Sequence, residues 1–198
     1  MAVKAILFDH DGTLVDSEGM HYRIWKQVLK RYDIDFGEQE YRQEHAGVPT
    51  LRNAEVLLKR YQLNESAAAL IDQKEIGTRT YLQQNCFPLM AGARSLIEAL
   101  VDRNLRLAVV TGAGRASVQN TLRGHGLEQH FEAIACGDDV RHSKPSPEVY
   151  LLALEKLGLS KDECLAFEDT ATGVAAAHAA GIACCAIPNE FSLHHDFS

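Results

Sequence analysis

The stretch Lys4–Ser17, KAILFDHDGTLVDS, decides the fold of this chain. Its first half, Ala5–Phe8, is a short apolar run followed at once by turn-forming residues, which predicts a buried β-strand. Asp9 and Asp11 follow, and residues two apart in extended backbone point to the same side, so both carboxylates are expected to face one spot. Close carboxylates repel unless a cation or a shared proton relieves them, and oxygen ligands suit Mg²⁺. The stretch therefore predicts a metal site, and a surface turn is the alternative interpretation.

Length and composition indicate one domain, or one domain with an insertion, that buries a full core: the chain has 198 residues and is 46% hydrophobic. The net charge of −7 argues against a nucleic-acid surface. No apolar run approaches the roughly 20 residues of a membrane span, and the first strand leaves no room for a signal peptide, which favours a cytoplasmic protein. The oligomeric state is left open.

The cysteines favour the same compartment. They show no metal-ligand spacing, and four of the five lie in or beside apolar runs. Buried free thiols are therefore expected rather than disulfides, at Cys86, Cys136, Cys164, Cys184 and Cys185.

Residues 17–84 show helical periodicity and no strand signal. Ser17 is a plausible N-cap for a first helix, residues 50–61 carry one apolar face, and Asn64 is a candidate cap for a helix that runs towards Tyr81. This block is interpreted as an all-helical cap inserted after the first strand.

From Pro88 onwards, strand and helix patterns alternate, with a helix over 148–157 closed by Gly158. Such alternation predicts a parallel sheet covered on both faces. The expected fold is therefore α/β, with a core of residues 1–16 and 85–198 and a helical cap of residues 17–84. The later strands are expected at 105–110, 133–136, 164–167 and 182–187.

Polar residues follow the carboxyl ends of four predicted strands, and open α/β sheets bind ligands at these ends. The residues are Asp9 with Asp11, Thr111, Lys144, and Glu168 with Asp169.

Each of the later residues also has a local interpretation. Thr111 can cap the next helix, Lys144 can be a solvated loop lysine, and Glu168 and Asp169 can be charges at a helix N-terminus. Their shared placement at strand ends favours a ligand site.

This set of groups suits phosphoryl transfer, which needs positioning and charge neutralisation around the phosphoryl oxygens. One carboxylate can act as nucleophile, and a second, two residues on, can protonate the leaving oxygen and later activate water. Thr111 and the N–H groups of the turn that begins at Gly112 can hold phosphoryl oxygens, and Lys144 adds a positive charge.

Four segments, FDHDGTLVDS, VVTG, SKPSPEVY and FEDTATG, resemble in this order the signature motifs of the haloacid dehalogenase superfamily. The helical block is similar to the small cap of its β-phosphoglucomutase-like branch. The resemblance covers essentially the whole chain and implies a Rossmann-like, doubly wound core with an inserted cap. It also implies a Mg²⁺-dependent enzyme that acts on a small phosphorylated substrate.

The resemblance further implies roles for the strand-end residues. Asp9 corresponds to the nucleophile and Asp11 to the general acid/base. The Asp9 side chain, the Asp11 backbone carbonyl and Asp169 correspond to the Mg²⁺ ligands, with Glu168 beside them. Thr111, Gly112 and Lys144 correspond to groups that bind the transferring phosphoryl group.

Two positions bear on the reaction. His21 matches a histidine that mutases and several sugar phosphatases of this branch use near the leaving group, although a helix histidine without a role is equally consistent with the sequence. Thr50 stands where mutases carry an arginine that grips a second phosphate, with Arg52 nearby.

His10 occupies a position that is often hydrophobic in the family.

The predicted function is hydrolysis of a sugar phosphate or phosphoglycolate type of metabolite through an aspartyl-phosphate intermediate. A β-phosphoglucomutase-type mutase is one alternative. A phospho-acceptor signalling module is the other, although receiver domains are shorter, lack a helical insert and carry the acceptor on a middle strand.

Overall fold

The computed structural model describes residues 2–193 and 195–197, so three positions of the core ranges predicted above lie outside the described residues. The chain divides into two compact units. One consists of Met1–Asp16 and Cys86–Ser198, and the other of Ser17–Asn85.

The larger unit contains a parallel sheet, which across the described residues has five strands in the order β3-β2-β1-β4-β5. β1 is central, and the strand order reverses beside it, which creates the point where α/β sheets bind ligands. The predicted doubly wound α/β fold is confirmed. The strands are β1 Ala5–Phe8, β2 Arg106–Val110, β3 Phe131–Ala135, β4 Cys164–Glu168 and β5 Ala183–Ala186.

The helices lie close to the bounds that periodicity predicts, and α3 and α7 match them to the residue. In the smaller unit they are α1 Glu18–Lys30, α2 Glu38–Glu44, α3 Thr50–Tyr61 and α4 Ala67–Leu82. In the larger unit they are α5 Ala93–Val101, α6 Arg115–Gly124, α7 Glu148–Leu157 and α8 Ala171–Ala179.

One face of the sheet packs on α7 and α8. All four side chains of β1 are buried, as expected for a central parallel strand. Leu7 and its neighbour Ala108 share a core with Tyr150 and Ala153 of α7 and with Ala177 of α8. Small alanine side chains let the helices lie close to the strands.

The helical unit buries large apolar side chains, among them Trp25, Leu57 and Leu70, and its helix α4 packs on α1 and α3. The prediction that Asn64 caps α4 is wrong. Ser66 has extended backbone and accepts a hydrogen bond from the Ala69 N–H at 3.1 Å.

Among the described residues the cysteines are free. Cys136 and Cys164 are buried as expected, whereas Cys86 and Cys184 are only half-buried and Cys185 is exposed on the edge strand β5. No helix in the described part of the chain has the length and apolar character that crossing a bilayer requires.

Candidate active site

Three adjacent central strands deliver the predicted site residues to one edge of the sheet. Asp9 follows β1, Thr111 follows β2, and Glu168 ends β4. The Asp9 N–H donates to the Phe167 carbonyl at 3.0 Å, which aligns β1 with β4, and Phe8 pairs with Val109, which aligns β1 with β2. Parallel pairing therefore brings together residues that are far apart in the sequence.

Lys144 lies at the centre of this group, so its interpretation as a solvated loop lysine is wrong. Its Nζ lies 2.6 Å from Asp9 Oδ1 and 2.5 Å from Glu168 Oε1, and it donates to the Val110 carbonyl at 2.9 Å. Only 10% of the side chain is exposed. One ammonium group therefore neutralises two carboxylates from different strands.

Tyr150 of α7 also reaches the site, which sequence reasoning missed because it reads as a core residue. Its hydroxyl donates to Glu168 Oε1 at 2.7 Å, and the Lys144 Nζ lies 5.3 Å from the centre of its ring. The Tyr150 contact gives Glu168 Oε1 a second donor and fixes that side of the carboxylate.

The charges of this cluster are strongly coupled. Burial raises the pKa of Asp9, although the Lys144 ammonium opposes this shift. Burial and the charge of Asp9 raise the pKa of Glu168 to about 7. Burial disfavours the charge of Lys144, but Asp9 and Glu168 outweigh it and raise the Lys144 pKa. The carboxylates thus compete for one cation, and a further positive charge would relieve them.

Asp9, Glu168 and Asp169 form an oxygen-donor set that fits a hard divalent cation. All three are buried, and each offers a carboxylate oxygen within 4.8 Å of the others. Among the described residues, Glu168 Oε2 has no hydrogen-bond partner although it is buried. An orphaned buried carboxylate oxygen is costly unless a ligand satisfies it, and Mg²⁺ prefers such oxygens.

Asp169 is held by two residues that the sequence did not single out. The Asn189 Nδ2 donates to Asp169 Oδ2 at 2.8 Å, and the Thr13 hydroxyl lies 3.4 Å from Oδ1. Asn189 follows β5, so the rule that located the other strand-end residues also applies to it.

Two glycines make room for the carboxylates. Gly12 has a φ of +83°, and a Cβ there would lie 2.1 Å from Asp169 Oδ2. A Cβ on Gly173 would lie 1.9 Å from Glu168 Oε2. Both positions therefore exclude side chains where the backbone approaches the acidic cluster.

The interpretation of Thr111 as the cap of the next helix is wrong. Gly114 occupies the N-cap of α6, and the buried Thr111 hydroxyl accepts a hydrogen bond from the Ala113 N–H at 3.0 Å. The Gly112 carbonyl packs so close to Gly137 that a Cβ on Gly137 would lie 2.3 Å from it. Binding of phosphoryl oxygens by this turn stays a prediction.

Glu168 and Asp169 lie directly before the N-cap of α8, as their interpretation as charges at a helix N-terminus requires. The Thr170 hydroxyl caps that helix by accepting from the Gly173 N–H at 3.1 Å. Glu168 also contacts Lys144, and Asp169 contacts Asn189, so both carboxylates belong to the acidic cluster as well.

Asp11 is partly exposed, and its Oδ2 lies 3.2 Å from His10 Nδ1. The His10 ring is fully buried, and its Nε2 lies 3.1 Å from the Thr121 hydroxyl of α6. His10 is therefore a buried polar residue whose Nε2 atom has a partner inside the core. His21 lies in α1, in the helical unit, and its role stays a prediction.

Known proteins share this architecture. The sequence profile of a family described as haloacid dehalogenase-like hydrolase matches residues 6–187. Protein CbbY of Rhodobacter capsulatus is 33% identical, over 100% of this chain and 91% of that protein. Fructose-1-phosphate phosphatase YqaB of Escherichia coli K12 is 32% identical, over 89% of this chain and 92% of its own length.

Solved structures agree with these sequence matches. The crystal structure of a CbbY mutant from Rhodobacter sphaeroides in complex with xylulose 1,5-bisphosphate superposes with a TM-score of 0.83. It is 30% identical, and the match covers 99% of this chain and 91% of that one.

Proposed function

This chain belongs to the haloacid dehalogenase-like hydrolase family, and from that premise we propose that it is a Mg²⁺-dependent phosphatase of a small phosphorylated metabolite. The observation that carries the proposal is the convergence of the Asp9, Glu168 and Asp169 carboxylates, with Lys144 bonded to the first two. A sugar phosphate is the favoured substrate class, because one relative is named a fructose-1-phosphate phosphatase and another was solved with a sugar bisphosphate.

Asp9 acts as the nucleophile. Its carboxylate forms a bond to phosphorus as the bond between phosphorus and the substrate oxygen breaks, and Asp11 gives its proton to the leaving oxygen. Asp11 then takes a proton from water, the water oxygen bonds to phosphorus, and the bond from phosphorus to Asp9 breaks. The net change is a phosphate monoester plus water to an alcohol plus inorganic phosphate.

The other residues prepare this chemistry. Lys144 holds the Asp9 carboxylate at 2.6 Å and opposes the rise in its pKa that burial causes, which favours the ionised, nucleophilic form. Asp9 and Asp169, with Glu168 beside them and the Asp11 backbone carbonyl, would hold the metal ion. Mg²⁺, when bound, neutralises phosphoryl charge. Thr111 and Gly112 lie at the neighbouring strand end, where they would contact phosphoryl oxygens.

Two alternatives have less support. A mutase must grip a second phosphate, but Thr50 replaces the expected arginine, and the nearby Arg52 pairs with Glu55 at 3.3 Å on the same helix. A phospho-acceptor module would carry its acceptor on a middle strand of the sequence, whereas Asp9 follows the first strand.

The test is phosphate release from a panel of sugar phosphates, phosphoglycolate and nucleotides, with Mg²⁺ and with EDTA. We expect Mg²⁺-dependent release that Asp9→Asn abolishes and that Asp102→Asn, a change at an exposed carboxylate, preserves. Release that survives in Asp9→Asn, or no release from any substrate, would contradict the proposal. An isomerised sugar phosphate, formed only when a catalytic bisphosphate is added, would establish the mutase instead.

A further inference from the structure

Asn189 connects the acidic cluster to the turn that follows β1. Its Nδ2 donates to Asp169 Oδ2 at 2.8 Å and to the Gly12 carbonyl at 3.0 Å. A primary amide nitrogen carries two hydrogens, so both bonds form at once. One side chain thus joins the residues after β4 to the backbone between Asp11 and Thr13.

The Asn189 amide has only one orientation that satisfies its neighbours. Its Oδ1 accepts the Phe191 N–H at 2.8 Å, so its NH₂ group must face Asp169 and Gly12. The Asn189 N–H donates to the Ser192 hydroxyl at 3.0 Å, and both Phe191 and Ser192 are buried. The segment after β5 therefore holds the donor rigidly against the carboxylate.

We propose that Asn189 is a positioning residue that orients Asp169 for the metal ion and holds it against the turn that follows Asp9 and Asp11. This inference rests on the proposed function, since it assumes that Asp169 is a metal ligand. Hydrogen-bonded partners of metal ligands fix the ligand's orientation, and their loss typically weakens metal binding by about 10- to 100-fold. The carboxylate has about four acceptor sites, so a bond from Asn189 leaves capacity for a metal ion.

The first test measures metal binding without substrate. Isothermal titration of Mn²⁺ and Mg²⁺ into Asn189→Ala is expected to show a dissociation constant raised by about 10- to 100-fold. Asn64→Ala is the matched control, because it makes the same change at an exposed residue of the helical unit, and it is expected to bind metal like the unchanged protein. Equal affinity in Asn189→Ala and the unchanged protein would overturn the inference.

Kinetics separate positioning from general damage. If Asn189 acts through the metal ligand, Asn189→Ala raises the Mg²⁺ concentration needed for half activation, while saturating Mg²⁺ restores most of kcat. A kcat that stays equally low at every Mg²⁺ concentration would indicate a merely structural role and would contradict the inference.

A measurement on the unchanged protein covers the case in which Asn189→Ala does not fold. Titration with Mg²⁺ is expected to shift both side-chain N–H resonances of Asn189 in step with metal binding, because they donate to Asp169 and Gly12. No shift at saturating Mg²⁺ would overturn the inference. If the unchanged protein binds neither Mg²⁺ nor Mn²⁺, the proposed function itself fails, which is a different outcome from metal binding that is indifferent to Asn189.

Discussion

Replacement of Gly173 by alanine tests how tightly the fold is built around Glu168. Gly173 lies in the first turn of α8, where an added Cβ would lie 1.9 Å from Glu168 Oε2, whereas real Cβ atoms keep about 3.0 Å. The carboxylate would have to move by the difference, about 1.1 Å. The carboxylate has little room to move, because Glu168 is fully buried and its Oε1 is held by Lys144 and Tyr150.

The energetic expectation follows from two opposing terms. Overpacking of a rigid site costs about 1–3 kcal/mol, while the better helix propensity of alanine returns about 1 kcal/mol. Gly173→Ala is therefore expected to lower the free energy of unfolding by about 0–2 kcal/mol. Gly19→Ala is the matched control, since Gly19 also lies in a helix but a Cβ there meets nothing within 4 Å. That change is expected to stabilise by about 0.5–1 kcal/mol.

Calorimetric unfolding measures the change in stability, and phosphatase assays measure the change in activity. A displacement of about 1 Å in a catalytic group can cost about 10²-fold in rate, so we expect a loss of that order in kcat/KM for Gly173→Ala. If Gly173→Ala were as stabilising as Gly19→Ala and kept full activity, the structural account of Glu168 would be refuted.

Three further changes probe charge and burial. Lys144→Met leaves buried carboxylates uncompensated and is expected to cost about 3–5 kcal/mol in denaturant unfolding. The loss should be larger at pH 8 than at pH 5, because the raised carboxylate pKa values allow protonation to relieve it as pH falls. Thr121→Val leaves the buried Nε2 of His10 without its hydrogen-bond partner and should lower the free energy of unfolding by about 1–3 kcal/mol. The added change His10→Leu should recover most of this loss in a double-mutant cycle. The Lys4 ammonium lowers the pKa of Glu163 to about 2 from 4.5. In thermal unfolding, Glu163→Gln should therefore be less stable than the unchanged protein above about pH 4.5, and this difference in stability should disappear as the pH falls towards 2.

The fold was largely predictable because its signals are local. Continuous apolar runs mark buried parallel strands, and the three- and four-residue spacing of apolar side chains marks helices such as α3 and α7. The miss at Asn64 has a local cause as well. Ser66 lies two residues later and has the extended backbone that a cap requires, and periodicity alone cannot choose between two neighbouring polar residues.

The site was predictable only where chemistry coincided with a strand end. Asp9, Glu168 and Asp169 follow apolar runs, so parallel pairing alone brings them together. Tyr150 was hidden because its ring belongs to the core and only its hydroxyl enters the site. Asn189 also follows a strand, but an asparagine there is equally typical of a turn, and its contact with Gly12, 177 residues away, has no signal in the sequence.

Phosphorylation of Asp9 during turnover is the most direct test of the proposed chemistry. The best substrate of the panel, labelled with ³²P, is mixed with enzyme and Mg²⁺, and the reaction is quenched in acid within one turnover. The protein is then digested, and the labelled peptides are identified. We expect hydroxylamine-labile label on the peptide that contains Asp9, appearing and decaying fast enough to account for turnover. Label on another peptide, or turnover without any labelled protein, would contradict Asp9 as the nucleophile.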